Sequence, residues 1–337
     1  MRIIIDAMGG DHAPEACVEG AVLAAERYGG EYLLTGDEAQ IQAVLKGRQA
    51  EHITVIPTTE IITMEDKPST AVRQKKDSSM SVGLRMLAEG QADAMISAGS
   101  TGALLTGATL VTKRIKGIRR AALGTLLPQK NGGHALLMDC GANAECSPEY
   151  LLQFAFMGYL FMKTQQGIER PRVALLNNGA EEGKGDPLRK DTYALLKEAD
   201  AQGRICFAGN LEARDALAGA ADVLIADGFT GNILLKSIEG TAGFLMREIK
   251  QIMTASFPAK LAALILKPGM MALREKMDYQ SVGGAPLIGI SKPVIKAHGS
   301  SDAKAFCSAV EQCILFAHSG FIAQVEENIP FMQVKDE

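Results

Sequence analysis

The 337-residue chain lacks the patterns that identify several common classes of protein. Its six cysteines form no Cys-x-x-Cys pair and no histidine cluster lies near them, so we expect buried, reduced thiols and no zinc site. The most apolar stretch, residues 151–162, is about half as long as a membrane-spanning helix. A net charge of −4 gives no general attraction to nucleic acid. These absences predict a cytoplasmic protein that holds no metal, binds no nucleic acid and does not span a membrane.

Common catalytic motifs are missing as well. None of the glycine-bearing turns matches G-x-G-x-x-G or G-x-x-x-x-G-K-[ST], so we expect no ordinary nucleotide-binding loop. No G-x-S-x-G elbow is present, which argues against a serine hydrolase. Any chemistry is therefore predicted to be direct attack on a bound electrophile, without a covalent enzyme intermediate and without a cofactor.

The chain does contain one repeated unit, a short apolar strand followed by a helix. Strands are predicted at residues 2–6, 31–35, 53–56, 94–97, 121–126, 134–139, 172–177, 205–208, 222–226 and 293–296. Helices are predicted at 14–28, 37–46, 69–90, 101–116, 148–166, 188–202, 211–218, 229–253 and 301–326. This alternation is typical of a three-layer α/β/α fold with a mostly parallel sheet. The short loop after residue 126 predicts one antiparallel hairpin. We expect one α/β domain over residues 1–337, with two lobes as an alternative.

Five of the predicted strands end in unusually polar turns. They are DAMGGDHAP (6–14), SAGSTGA (97–103), NNGAEEGKG (177–185), ADGFTGN (226–232) and KAHGSS (296–301). The carboxyl ends of parallel strands meet at one edge of a sheet, where open α/β folds bind ligands. A single glycine turn can be explained by geometry alone, but five are more than turn geometry requires. We expect them to gather into one site for a small anionic substrate.

The candidate binding residues of this site are polar groups and glycines in the five turns. Ser100 and Thr101, with backbone N–H groups of the flanking glycines, resemble an anion-binding nest, although either hydroxyl could simply cap the next helix. The full set of candidates for binding phosphate or substrate is Asp6, Gly9, Gly10, Gly99, Ser100, Thr101, Gly102, Asn178, Asp227 and His298.

Three residues are candidates for catalysis. Lys184 lies in a glycine-flanked loop, where a mobile ammonium suits phosphate or a developing oxyanion, although most loop lysines are merely solvated. His12 could act as a general acid or base, or could hydrogen-bond within its turn. Asn232 could orient either group or satisfy loop N–H groups.

Two further segments suggest contacts with partners. The basic segment KRIKGIRR (residues 113–120) could dock an acidic partner through Arg114, Lys116, Arg119 and Arg120, or could complete a helix C-terminus. A protruding helical segment is predicted at 254–280, with a helix stop at Pro268-Gly269. Its residues Leu261, Leu264 and Ile265 could contact a membrane or fatty chain, or a second subunit. The apolar stripe of the helix at 229–253 is expected to be buried, either against the sheet or against a partner subunit.

Taken in order, the five polar turns resemble those of the bacterial phosphate acyltransferase family known as PlsX, from residue 1 to about residue 325. The resemblance implies transfer of a fatty acyl group from acyl-carrier protein to inorganic phosphate. The acyl phosphate would feed phospholipid synthesis through a downstream membrane acyltransferase. It also implies a homodimer and a fold similar to that of the isocitrate and isopropylmalate dehydrogenases and of phosphotransacetylase. Because the product would be an amphiphile bound for a membrane enzyme, residues 256–277 are expected to make transient peripheral contact with the membrane. A metal- and NAD-dependent decarboxylating dehydrogenase is the alternative enzyme, and a carrier-protein scaffold is the non-catalytic one.

Overall fold

The computed structural model describes residues 1–47, 52–277 and 283–333. Its strands are β1 (Arg2–Asp6), β2 (Glu31–Gly36), β3 (Ile53–Pro57), β4 (Ala94–Ser97), β5 (Ala122–Leu123), β6 (Thr125–Pro128), β7 (His134–Met138), β8 (Arg172–Asn177), β9 (Cys206–Glu212), β10 (Val223–Ile225), β11 (Ala285–Ile288) and β12 (Val294–Lys296). Its helices are α1 (Glu15–Tyr28), α2 (Glu38–Leu45), α3 (Pro68–Gln74), α4 (Ser79–Ala88), α5 (Thr101–Gly107), α6 (Pro148–Gln166), α7 (Pro187–Ala201), α8 (Gly228–Thr254), α9 (Phe257–Met277), α10 (Ala303–His318) and α11 (Phe321–Asn328).

The strands form two sheets where one was expected. A 7-stranded sheet has the order β3-β2-β1-β4-β12-β11-β5, and a 5-stranded sheet has the order β6-β7-β10-β8-β9. Most pairs are parallel, and the predicted hairpin is present as the antiparallel pair β6–β7. The chain passes from one sheet to the other at Gly124, where an added Cβ would lie 2.7 Å from Ile288 Cδ1. A side chain at this crossing would therefore require the ends of the Ile288 and Leu136 side chains to shift.

Helices cover both faces of the sheets. Ile3 and Ile5 of β1 belong to one hydrophobic cluster, together with α1, α6 and α10, whereas Ile4 belongs to a second cluster with α4, α5 and the start of α8. Strands β7 and β8 show the same alternation, so each cluster runs across both sheets. The period of two along each strand thus produces the two faces. The three-layer α/β/α arrangement predicted from the sequence is confirmed.

Most helices start at a capping side chain that accepts a backbone N–H of the first turn, as expected for Ser and Asp. These caps are Asp37, Ser78, Ser100, Ser147, Asp186, Asp227 and Asp302.

Several predicted boundaries were wrong. The single helix expected at 69–90 is two helices, because Ser78 caps a new helix after α3. The helix expected at 101–116 ends in a π-helical turn at Thr112, and Lys113 follows with φ of 73°. Strand β11 was missed. The helix expected at 211–218 is a short 3₁₀ turn, Ala213–Asp215, and the predicted helix 301–326 divides into α10 and α11.

Helices α8 and α9 project from the sheets. The buried residues of α8 are confined to its start, at Gly228, Gly231, Leu234 and Leu235. The stripe expected to be buried over 229–253 is therefore exposed in its distal half. Helix α9 continues through Pro268, so the predicted stop was wrong. A proline removes one backbone hydrogen bond, and water can replace that bond in a solvent-facing helix.

No single helix within the described ranges is long and apolar enough to span a membrane. The bent pair Ala303–His318 and Phe321–Phe331 meets the length and composition test. Its side chains Phe306, Val310 and Phe321 are buried in the hydrophobic core.

Candidate active site

Three polar turns meet because their strands are neighbours in the larger sheet. The loops that follow β1, β4 and β12 (residues 6–14, 97–103 and 296–301) are called the β1, β4 and β12 loops below. An added Cβ on Gly9 would lie 2.6 Å from Gly99 N, so these two loops touch through glycine backbone. Gly10 has φ of 106° and packs on Gly299, whose carbonyl accepts the Asp11 N–H at 2.7 Å. The glycines thus bring three strand ends into direct contact.

These loops open onto a central cavity of about 470 Å³. Its polar lining includes Asp11, Thr101, Asn232, Lys236, Glu239, Lys296, His298 and Ser301, and its apolar lining includes Leu123, Leu126 and Leu235. The cavity therefore combines cations with an apolar wall, which suits an anion attached to an acyl chain.

Lys296 is the most deeply placed cation of the central cavity. Its side chain is 8% exposed, and Nζ donates to the carbonyl oxygens of Ala98, at 3.2 Å, and Ala297. Burial lowers the pKa of Lys296 to about 8, although the carboxylates of Asp6 and Asp11 act in the opposite direction. Lys296 is therefore charged at neutral pH and loses its charge just above it.

His298 presents a neutral imidazole to the same cavity. Burial lowers its pKa, and the nearby Lys236 and Lys296 ammonium groups lower it further. The Ser300 N–H donates to His298 Nδ1 at 3.3 Å, so Nε2 carries the ring proton. A neutral ring with its proton on Nε2 is a hydrogen-bond donor toward an oxyanion.

The start of α8 carries Asn232 to the central cavity. Asp227 caps this helix, accepting Thr230 N–H at 2.9 Å. An added Cβ on Gly228 would lie 2.6 Å from Asn143 O, and one on Gly231 would collide with Asp139 O. The glycines of the ADGFTGN turn are therefore needed so that α8 can rest on the turn formed by residues 139–143.

A second cavity, of about 510 Å³, lies along α8 and does not share any of the central cavity's lining residues. It is lined by Leu176, Asn177, Asn178, Gly185, Asp186, Arg189, Ala213, Thr230, Ile233, Leu234 and Ser237. The Arg189 guanidinium bridges two helix caps, donating to Asp227 Oδ2 and, at 2.9 Å, to Asp186 Oδ2. Burial raises the pKa of Asp227, but hydrogen bonds from Thr230 and the charge of Arg189 outweigh it and lower the pKa overall.

Lys184 lies beside the second cavity rather than the central one. The neighbouring residue Gly185 lines that cavity. The carbonyl oxygen of Lys184 accepts a hydrogen bond from Asn177 Nδ2 at 3.2 Å. The side chain is exposed, and within the described residues its ammonium has no hydrogen bond or ion pair. The loop 177–185 is held at its base, while its lysine is left available to an anion.

The predicted site residues are thus divided between the central cavity, the second cavity and positions outside both. Thr101, Asn232 and His298 line the central cavity, and Asn178 lines the second. His12 is exposed outside both linings, with its carbonyl accepting Ala16 N–H at 2.9 Å. The five turns do not line one common cavity: the loop after β8 lines the second cavity, whereas the turn after β10 contributes Asn232 to the central cavity and Thr230 to the second.

Other predicted binding residues act beneath the loops. Asp6 is 1% exposed and is not part of the cavity lining. The Ser100 side chain caps α5, as the alternative interpretation of this turn expected. Gly9, Gly10 and Gly99 form the loop contacts, Gly102 packs on Pro68, and Asp227 caps α8.

Sequence reasoning missed Lys296, Lys236 and Asp11. Lys296 ends the apolar strand Val294–Lys296, and a charge at the carboxyl end of a buried strand was the available signal. Lys236 and Glu239 form an ion pair at 2.7 Å on α8, which reads in sequence as an ordinary solvated helix face. No group of three His, Cys, Asp or Glu side chains converges in the ranges that the structure covers.

The basic segment forms a loop instead of a helix C-terminus. Arg114 donates to the Arg119 carbonyl oxygen, and Arg119 Nε lies 3.2 Å from Glu149 Oε1. Lys116 and Arg120 are exposed. The exposed cations leave the segment able to contact an acidic surface.

Comparison with known proteins identifies the family. A sequence model of the family described as "Fatty acid synthesis protein" matches residues 1–324. The phosphate acyltransferase of Clostridioides difficile (strain 630) is 46% identical over 331 residues, covering 98% of this chain and 96% of that protein. The chain belongs to the phosphate acyltransferase family. The phosphate acyltransferase of Geobacillus sp. (strain WCH70) is 48% identical over 330 residues, covering 98% of this chain and 98% of that protein. The resemblance based on the five polar turns is confirmed, and the chain is an acyltransferase.

The fold agrees with this assignment. A phosphotransacetylase from Streptococcus pyogenes superposes with a TM-score of 0.60 at 20% identity, covering 97% of this chain and 94% of that one. The likeness to phosphotransacetylase expected from the sequence is therefore confirmed at the level of the fold.

Proposed function

We propose that the chain transfers a fatty acyl group from acyl-carrier protein to inorganic phosphate in the central cavity. The acyl phosphate would then be used by a membrane acyltransferase in phospholipid synthesis. The observation that carries this proposal is the lining of one cavity by Lys236, Lys296 and an apolar wall that includes Leu126 and Leu235. An acyl phosphate has the same two parts, an anionic head and an apolar chain.

The cations would hold the phosphate nucleophile. Lys296 is fixed in the cavity wall by two carbonyl oxygens, so its ammonium is already positioned when the substrate arrives. Thr101 and Ser301 supply hydroxyls to the same cavity. A preorganised cation needs little reorganisation as charge moves during the reaction.

In the proposed reaction, phosphate displaces the carrier thiolate directly from the thioester. A phosphate oxygen attacks the thioester carbonyl carbon and forms a tetrahedral oxyanion, to which His298 Nε2–H and the Asn232 amide would donate hydrogen bonds. The oxyanion then collapses, the C–S bond breaks, and the carrier thiolate leaves and takes a proton from solvent. A thiolate is a good leaving group, so no enzyme nucleophile is required.

For Lys184 we keep the electrostatic role predicted from the sequence. Its support is an exposed ammonium, without a hydrogen bond or ion pair to the part of the chain that the structure describes, on a glycine-flanked loop beside a polar cavity. In this role the loop 177–185 carries Lys184 toward the bound phosphate or the oxyanion.

The surface offers sites for the proposed partners. Acyl-carrier protein is acidic, and the exposed cations of the basic segment would attract it. The exposed apolar face of α9, with Leu264 at 68% and Ile265 at 81% exposure, fits a homodimer contact or a peripheral contact with the inner face of the cytoplasmic membrane.

The proposal is tested by incubating fatty acyl-carrier protein with the enzyme and phosphate. We expect carrier thiol to appear only when phosphate is present, and hydroxylamine to trap an equal amount of acyl hydroxamate. Binding of the carrier without thiol release would point to the scaffold alternative. A saturable fluorescence change with NAD and Mg²⁺, in the absence of phosphate-dependent thiol release, would point to the dehydrogenase.

A further inference from the structure

The central cavity rests on a row of three polar residues at the ends of adjacent parallel strands. Ile5 of β1 pairs with Ile96 of β4, so the next residues, Asp6 and Ser97, lie side by side. Ser97 in turn pairs in register with Lys296 of β12. Residues that face each other on neighbouring strands point to the same side of a sheet. A carboxylate, a hydroxyl and an ammonium therefore stand in one line across three strands.

Hydrogen bonds give this row a direction. The Gly99 N–H donates to Ser97 Oγ at 3.1 Å, and Ser97 Oγ lies 2.6 Å from Asp6 Oδ2. Ser97 Oγ accepts a hydrogen bond from Gly99 N–H and donates its own O–H to Asp6 Oδ2, since an ionised carboxylate oxygen can only accept. Met8 N–H donates to the other oxygen of Asp6 at 3.3 Å. Burial raises the pKa of Asp6, and the hydrogen bonds from Ser97 and Met8 oppose that rise because they favour the ionised carboxylate.

Asp6 is buried beneath the loops that form the cavity. Its carboxylate is packed against Gly9 and Gly99, where an added Cβ on Gly9 would lie 2.8 Å from Asp6 Oδ2. A substrate in the cavity meets the loop backbone above Asp6, and not the carboxylate itself. Removing a carboxylate from water costs free energy, and a nearby positive charge offsets part of that cost. The cation in the same row is the Lys296 ammonium.

We propose that Asp6 is a positioning residue of the transfer site, which acts through the row to keep Lys296 in its charged form without touching the substrate. The proposal rests on the proposed function in one respect, the assignment of phosphate to Lys296. This role would explain why an acidic residue, Asp6 at the end of β1, lies under a site whose substrate is an anion.

The charged and titratable groups that face Lys296 come from three elements. Asp6 and Asp11 belong to the β1 side, Lys236 and Glu239 to α8, and His298 to the β12 loop. Burial lowers the pKa of Lys296 to about 8, the two aspartates oppose that shift, with Asp6 the larger, and Lys236 adds to it. The ammonium is present below this pKa, so phosphate binding weakens as pH rises through it. Removing the Asp6 charge moves this loss to lower pH.

The test uses Asp6→Asn, which removes the charge and keeps the size of the side chain. The enzyme is labelled with ¹³C at lysine Cε, the Lys296 signal is assigned by its loss in Lys296→Met, and its titration midpoint is measured. We expect the midpoint to fall by about one pH unit or more in Asp6→Asn, and by less in the matched variant Asp11→Asn. The alkaline limb of the kcat/KM profile for phosphate should move by the same amount. Ser97→Ala, which removes one donor to Asp6, should shift both in the same direction.

The outcomes separate this inference from the proposed function. An unchanged Lys296 midpoint in both Asp6→Asn and Ser97→Ala overturns the inference, as does an activity loss that is equal at every pH. Absence of phosphate-dependent thiol release in the wild-type enzyme overturns the proposed function, and the lysine titration still reports on the row.

Discussion

Asn232 and Ile233 are neighbours in α8, yet Asn232 lines the central cavity and Ile233 lines the second. Successive residues of a helix point about 100° apart, so one helix can present side chains to two spaces. The first turns of α8 are therefore the partition between the cavities.

The partition provides a matched pair of substitutions. Asn232→Ala removes a donor from the central cavity, where we expect kcat to fall by about 10²–10³-fold if the amide binds the oxyanion. Ser237→Ala, on the side of α8 that faces the second cavity, should keep near wild-type kcat. Steady-state kinetics with acyl-carrier protein and phosphate measure both. Equal losses in the two variants would move the reaction out of the central cavity.

Lys184→Ala is expected to fold normally and to lose about 10²–10³-fold in kcat, because one positive charge that would stabilise the transition state is removed. Lys184→Arg should restore little, since a planar guanidinium does not replace a compact ammonium. Lys190→Ala, an exposed lysine in the first turns of α7, is the control and should leave the rate unchanged. Near-normal turnover in Lys184→Ala would remove Lys184 from the mechanism.

Two glycines of α8 predict opposite changes in stability. Gly231→Ala drives a Cβ into Asp139 O and should lower the free energy of unfolding by about 1–3 kcal/mol or more. Gly240→Ala has nothing within 4 Å and should raise it by about 0.5–1 kcal/mol through helix propensity. Urea unfolding followed by circular dichroism gives both values. A stable Gly231→Ala would mean that the turn at residues 139–143 yields easily.

Charge reversal in the basic segment should weaken use of the carrier protein. The triple variant Arg114→Glu, Lys116→Glu and Arg119→Glu is expected to raise KM for acyl-carrier protein, mainly through a slower association rate, and the effect should shrink as salt rises. Lys116→Glu alone tests the same idea without disturbing the contact between Arg119 and Glu149. An unchanged KM at low salt in both variants would place docking elsewhere.

Leu264→Glu tests the exposed face of α9. If this face contacts a membrane, the variant should no longer bind anionic vesicles in a sedimentation assay, while its activity in solution is kept. Burial of a few such side chains contributes a few kcal/mol, roughly the strength of a reversible attachment. Dissociation into monomers in analytical ultracentrifugation would instead assign the face to the dimer.

The sequence could predict strands and polar turns because their signals are local. The strand Ile3–Ile5 followed by Asp6, and the Gly99-Ser100 turn, are recognisable without knowing their neighbours. Sheet membership is not local, and this is why the division into two cavities was not foreseen. The same holds for Lys296, whose importance appears only when β12 is seen to lie beside β4.

Helix α8 forms part of the wall of both cavities. Helix α8 has 27 residues, a rod of about 40 Å, and its far end joins the exposed α9. Asn232 and Ile233 point about 100° apart from this rod into two different cavities, so a sideways displacement of its first turns changes the lining of both. The two cavities are therefore not independent, because a single helix, which leads into the exposed α9, forms part of the wall of each.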